Sequence, residues 1–165
     1  MAPRRGWSGT TANAPSMSHR DDGGRGERWV LAQTALFVLY VAPPGWRFAW
    51  RSPGALLAAA GVALALSAAL QLGRGLTPYP EPAAQGKLVQ SGVYAWVRHP
   101  IYSGVLLAAF GAAWATHSSW RALVAVTLFF FFDAKTREEE RRLSRRYEGY
   151  AAYARGIRKL IPWIY

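Results

Sequence analysis

Apolar residues fall into four runs, 29–42, 53–72, 101–116 and 120–132, separated by polar or proline-rich breaks. Pro43 and Pro44 end the first run, and the aromatic-basic stretch Trp46, Arg47, Phe48, Trp50 and Arg51 follows it. The second run opens on Ser52, a good N-cap residue, with Pro53 at the first helical position. A bilayer span needs about 20 apolar residues, and only the second run reaches that unaided. The others cross by borrowing flanking aromatics, tilting, or thinning the membrane locally. The predicted spans are about 29–48, 53–72, 101–116 and 118–134.

Beyond Asp133 the periodicity stays helical but the composition changes. Leu143, Tyr147, Tyr150 and Ala154 share one face and basic residues lie opposite. This predicts an amphipathic cytoplasmic helix over about 135–154, ended near Gly156, with Pro162, Trp163 and Tyr165 at the headgroup level. The fold class is therefore all-α: a polytopic helical membrane protein with about four transmembrane helices plus a C-terminal amphipathic cytoplasmic helix. Residues 29–165 read as a single integral-membrane domain. Residues 1–28, rich in Arg, Gly, Ser, Asp and Pro without periodicity, read as a disordered basic arm. No apolar core follows Arg4 and Arg5, so the arm does not read as a signal peptide. On the third helix Gly104, Ala108, Gly111 or Ala112, and Ala115 form a small-residue line. Such a line allows close backbone approach in lipid, here expected against the fourth span through a tight hairpin at 117–119.

Charge sharpens this picture. The net charge is +11, yet Glu81 is the only carboxylate between Trp29 and Phe132. A soluble domain scatters charge along every surface helix. With four crossings, seventeen of the twenty Lys and Arg residues fall on one side, leaving only Arg47, Arg51 and Arg121 on the other. By the positive-inside rule both termini are cytoplasmic, which fits a multi-pass protein of the cell (inner) membrane. Membrane lipids account for the basic excess, and no nucleic-acid motif accompanies it. The chain has no cysteine, which excludes disulfides, Cys-ligated zinc and a Cys nucleophile. It offers no metal-ligating cluster and no Ser-His-Asp set.

Two polar stretches can carry chemistry. In the first, LVQSGVYAWVRHPIYSG (88–104), His99 precedes Pro100, which holds it extended and can open the third helix. His99 and Arg98 then sit beside a helix N-terminus that favours an anion. Tyr94, Trp96 and Tyr102 add flat faces with polar tips, suited to a ligand bearing a carboxylate and a purine. The same residues also suit a membrane-entry segment, with Arg at the headgroups and aromatics in the belt. The second stretch is Lys135, Thr136, Arg137, Glu138, Glu139, Glu140, Arg141 and Arg142. Consecutive helical residues advance about 100°, so at least one of the three carboxylates faces the bundle. The alternative is a solvated face with pairs such as Glu138–Arg142.

Together these stretches resemble the isoprenylcysteine carboxyl methyltransferase family. The resemblance is carried by Leu88-Val89, by Ser91 to Trp96, and by Arg98-His99-Pro100 with Tyr102 and Gly104. Glu139-Glu140-x-x-Leu143, the tyrosines 147, 150 and 153, and the proline-rich loop from Leu72 to Pro82 extend it. It implies a membrane-embedded, S-adenosyl-L-methionine-dependent methyltransferase acting on a carboxylate or other nucleophile of a lipophilic acceptor. The implied cofactor-binding residues are Lys87, Leu88, Val89, Tyr94, Arg98, His99, Pro100, Tyr102 and a carboxylate of the Glu run, Glu138 or Glu139. Lys135 and Arg137 are implied on the substrate side and, with Glu139, in catalysis. Lys135 stands where the family has an arginine and supplies charge without a bidentate fork. A phospholipid or other amine N-methyltransferase, and a non-enzymatic scaffold whose basic tail binds lipid, are the alternatives.

Overall fold

The computed structural model describes residues 23–80 and 87–165. The arm expected over 1–28 lies outside these residues as far as position 22, as do Glu81 and the rest of 81–86. The described residues form α1 (Gly23–Val41), α2 (Pro53–Leu72), α3 (Pro100–Ala115), α4 (Ser119–Arg146) and α5 (Tyr150–Gly156), with 3-10 turns at Gly73–Gly75 and Gly92–Ala95. No strand occurs among them; one isolated parallel bridge joins Val97 and Arg158. The all-α class holds. Among the described residues α2 alone is long and apolar enough to cross a bilayer by itself, and α3 is a shorter apolar helix.

Local chemistry sets most helix starts. The Ser52 hydroxyl accepts from the Ala55 amide at 3.2 Å, with Pro53 in the first turn, so α2 is capped as its sequence suggests. Ser118 caps α4 in the same way through the Arg121 amide at 3.3 Å. Three boundaries differ from expectation. α1 begins at Gly23, inside the expected arm, because Gly26 is buried against Tyr79 and Pro80 and gains packing there. It stops at Val41 rather than near 48, since Pro43 and Pro44 cannot continue a helix. The expected single helix over 135–154 is broken. α4 runs through the polar stretch to Arg146, Tyr147 turns extended, and Gly149 leads into α5.

Helix pairing corrects a further expectation. The small-residue line of α3 packs on α2, not on α4. A Cβ added at Gly61 would come 2.3 Å from the Ala108 amide, and one at Gly104 would come 2.5 Å from that of Ala65. Gly54 and Gly111 meet the partner backbone just as closely. Both helices repeat small residues at alternating spacings of four and three, so two backbones meet without intervening side chains. The bulky phenylalanines of α4 fit a wider separation. They help build the main apolar core, where Leu128 and Phe132 pack with Tyr40, Leu106, Ala109, Val124, Ala125 and Leu160. The Tyr40 hydroxyl donates to the Ala109 carbonyl at 2.6 Å, and Arg121 lies over the Trp46 ring while donating to the Pro43 carbonyl.

Candidate active site

His99 is the hinge on which the site is built. It stands just before Pro100 at the start of α3 with an extended φ of −124°. Its amide donates to the Lys159 carbonyl at 3.1 Å, and the Arg98 amide to the Arg158 carbonyl at 2.8 Å. The imidazole is thereby turned between two carboxylates of α4. Nε2 lies 3.1 Å from Glu140 Oε1, and Nδ1 lies 3.5 Å from Glu139 Oε2. Tyr102, one turn into α3, has its ring stacked with those of His99 and Phe132, and its hydroxyl donates to Glu139 Oε1 at 2.5 Å.

Lys135 sits one turn before Glu139 on the same side of α4 and is fully buried. Its ammonium donates to Gln33 Oε1 at 2.7 Å and to the Pro78 carbonyl at 3.0 Å, and lies 5.3 Å from the centre of the Tyr102 ring. Both hydrogen-bond acceptors are neutral. Among the described residues no carboxylate lies within ion-pair distance of it.

These groups border a cavity of about 400 Å³, within the range of small-molecule sites. Its wall includes Lys87, Leu88 and Val89 from the loop before Gly92, together with Tyr94, Arg98, His99, Pro100 and Tyr102. Lys135 and Glu139 close it from α4. Tyr94 is set by the turn at Gly92, where φ is +61° and a Cβ would strike Gln71. The Gln71 side-chain oxygen, Oε1, accepts from the Val93 amide at 3.2 Å.

Three residues singled out in the sequence are held by partners that do not line the cavity. Arg137 has a side chain 63% exposed and pairs with Asp133 at 2.5 Å, away from the cavity. Glu138 pairs with Arg142 at 3.0 Å and Arg141 at 3.4 Å, also off the cavity. Both are rotated away because residues 135 and 139, four apart, own the inward face. Arg98 borders the cavity, but its Nε donates to Glu140 at 2.8 Å and its Nη1 to the carbonyls of Ala154 and Ile157. It ties α4 to the C-terminal end of α5, and these donors are not left for a ligand anion.

The structure also adds residues. Glu140 holds both Arg98 and His99. Gln33 reaches the cavity from α1, as do residues 75–80 of the proline-rich loop. Leu143, Tyr147, Tyr150 and Tyr153, expected partly as a lipid-facing stripe, line the cavity because α5 folds back. A lone amide in an apolar run was the available signal for Gln33. Burial raises the Glu139 carboxyl above the usual range, against the pull of His99, Tyr102 and Lys135. Glu140 is also raised by burial, but hydrogen bonds from His99 and Arg98 outweigh this and hold it below that range. Burial pushes the Tyr153 phenol up to about 12, and its hydroxyl donates to the Tyr94 carbonyl at 2.6 Å. A carboxylate among aromatic faces can hold a cation. A buried ammonium on the same wall can hold an anion.

Comparison with known proteins places this site in context. The family described as phospholipid methyltransferase is matched over residues 50–149, more than half of the chain. No curated protein matches. Among solved structures, that of the eukaryotic intramembrane Ras methyltransferase ICMT (isoprenylcysteine carboxyl methyltransferase) shares the fold, with a TM-score of 0.60 and 23% identity. The similarity covers 90% of this chain and 55% of that one, so the chain spans little more than half of its length.

Proposed function

From the premise that the chain belongs to the phospholipid methyltransferase family, we propose that it moves a methyl group from S-adenosyl-L-methionine to a carboxylate of a lipophilic acceptor. The observation that carries this reading is the meeting of Tyr102 and Glu139 on one cavity wall, 37 residues apart in sequence. When bound, S-adenosyl-L-methionine supplies an electrophilic methyl on a sulfonium. The residues present fit such a group. Glu139 offers a carboxylate to a cation, and Tyr94, Tyr102 and the tyrosines around α5 offer flat faces for a purine. Lys87, Leu88, Val89, His99 and Pro100 complete the proposed cofactor wall.

Methyl transfer is an in-line displacement, so the protein must chiefly align two partners and exclude water. The packed wall from His99 through Tyr102 to Phe132 is rigid enough for alignment. A carboxylate acceptor is ionised near neutral pH and needs no general base. The buried Lys135 ammonium attracts that acceptor and disfavours a cationic amine product beside it. Membership of a phospholipid methyltransferase family favours a second reading, N-methylation of a phospholipid or other amine.

In membrane terms the reading is four crossings, by α1, α2, α3 and the apolar half of α4, with both termini cytoplasmic in the inner membrane. The distribution of basic residues supports it. The acceptor then enters from lipid and the polar cofactor from the cytoplasm. The test is to incubate purified protein with radiolabelled S-adenosyl-L-methionine and membrane extract. Label on a lipid-soluble product, released as methanol by mild alkali, supports a methyl ester. Alkali-stable label excludes a methyl ester, and label on a lipid amine identifies N-methylation. No saturable cofactor binding to folded protein favours the scaffold alternative.

A further inference from the structure

Residues 157–165 lie beyond α5 and beyond the stretch matched by the family, yet residues 158 and 159 bond the backbone of Arg98 and His99. The Val97–Arg158 bridge starts the contact. The carbonyls of Arg158 and Lys159 then accept the amides of Arg98 and His99, and the Leu160 carbonyl accepts the Ser103 hydroxyl at 2.6 Å. Leu160 is buried in the main core. The segment closes on itself as a hook, because the Tyr165 carbonyl accepts the amides of Leu160 and Ile161, both at 2.7 Å.

One carboxylate pins the hook to the bundle. Asp133 Oδ1 accepts from Lys159 Nζ at 2.8 Å and from the Tyr165 hydroxyl at 2.7 Å, while Oδ2 takes Arg137. The Asp133 and Lys159 side chains are each only 12% exposed. A partly desolvated pair with a second charge-assisted donor is a stronger tie than a surface ion pair. Asp133 lies on α4 six residues before Glu139, so the helix that carries Glu139 also anchors the segment hydrogen-bonded to Arg98 and His99.

We propose that Asp133, Lys159 and Tyr165 are positioning residues: through the 157–165 hook they set His99 and Arg98 against Glu139 and Glu140. This rests on the reading of the cavity as the cofactor site, but one arm of its test does not. Three histidines occur in the chain, so the His99 side chain is assignable by NMR of histidine-labelled protein in detergent, with His99→Gln as the reference. The variants are Lys159→Met, Lys159→Arg and the milder Tyr165→Phe, which removes only a hydroxyl.

Lys159→Met is expected to shift the His99 resonances without ligand and to raise the KM for S-adenosyl-L-methionine about tenfold, with kcat within about twofold. Tyr165→Phe should do the same more weakly, and Lys159→Arg should restore both readouts. Unmoved His99 resonances in folded Lys159→Met, or in Tyr165→Phe should the former not fold, overturn the proposal. So does a loss confined to kcat. If wild-type protein binds no S-adenosyl-L-methionine, the functional reading fails, and the resonances alone decide the role of the hook.

Discussion

Glu140 Oε1 lies between Arg98 Nε, at 2.8 Å, and His99 Nε2, at 3.1 Å. One carboxylate oxygen therefore holds two consecutive residues of the segment that opens α3. Its neighbour Glu139 faces the cavity and the other nitrogen of the same imidazole. Two adjacent acidic residues thus divide the work: one braces the wall and the other presents charge to the interior.

Tyr102→Phe removes the hydroxyl that donates to Glu139 while keeping the stack between His99 and Phe132. A hydrogen bond to a charged group is worth about 1.5–3 kcal/mol. Affinity for S-adenosyl-L-methionine should fall roughly tenfold or more, and the melting temperature should drop by several degrees because the bond is internal to the fold. Equilibrium dialysis in detergent measures the first and thermal unfolding the second. Unchanged affinity would remove Tyr102 from the proposed site.

The two carboxylates are shifted in opposite directions, and each shift predicts its own pH dependence. Glu140 is held below the ordinary range, so its stabilising contribution is complete above the unfolded value of about 4.3 and is lost as pH falls through the lower folded value. Glu140→Gln should therefore flatten the acid limb of the melting-temperature profile. Glu139 is raised, so its ionised form, which a cation requires, appears only at higher pH than for an ordinary glutamate. Cofactor affinity should climb with pH above the ordinary carboxylate range in wild type, and less so in Glu139→Gln. A parallel climb in both would assign the effect to another group.

Lys135→Met tests acceptor recognition apart from cofactor binding. The ammonium is buried against two neutral acceptors that methionine leaves without this donor, so a melting temperature lower by several degrees is expected. Cofactor affinity should stay near wild type. The KM for a carboxylate acceptor should rise by about tenfold or more, the equivalent of at least 1.4 kcal/mol. By contrast Arg137→Gln, altered at an exposed residue off the cavity, should leave turnover within about twofold.

Gly61→Ala would place a methyl 2.3 Å from the Ala108 amide. Backbone cannot yield as a flexible side chain can, and overpacking costs about 1–3 kcal/mol or more. A clear drop in melting temperature is expected. Gly156→Ala, with no atom within 4 Å of the new methyl, is its control. Equal stability of the two would refute the close α2–α3 contact.

Much of the site could be read from the sequence because polar residues stand out beside apolar runs. The Arg98-His99-Pro100 segment and the Glu run declared themselves that way, and Pro100 fixed where α3 starts. The inward face of α4 was harder, since three successive glutamates give no phase until Lys135 is seen to share a face with Glu139. Partnering was less legible still. The small-residue line of α3 announces a close neighbour without naming it, and α2 carries a matching line. Gln33 meets Lys135 across 102 positions, a contact that no local pattern encodes. The break at Tyr147–Gly149 turned a supposed lipid stripe into cavity wall, because α5 gains Arg98 as a cap for its last carbonyls.

The glycine-lined seam between α2 and α3 bears on how bulky guests arrive. Where main chains touch, no rotamer can swing aside, and separating the pair would open a gap along several turns. These two helices therefore behave as a single plank. On the proposed reading, an acceptor that enters from lipid would use the opposite side, where α1 packs on α4 through side chains that can re-sort.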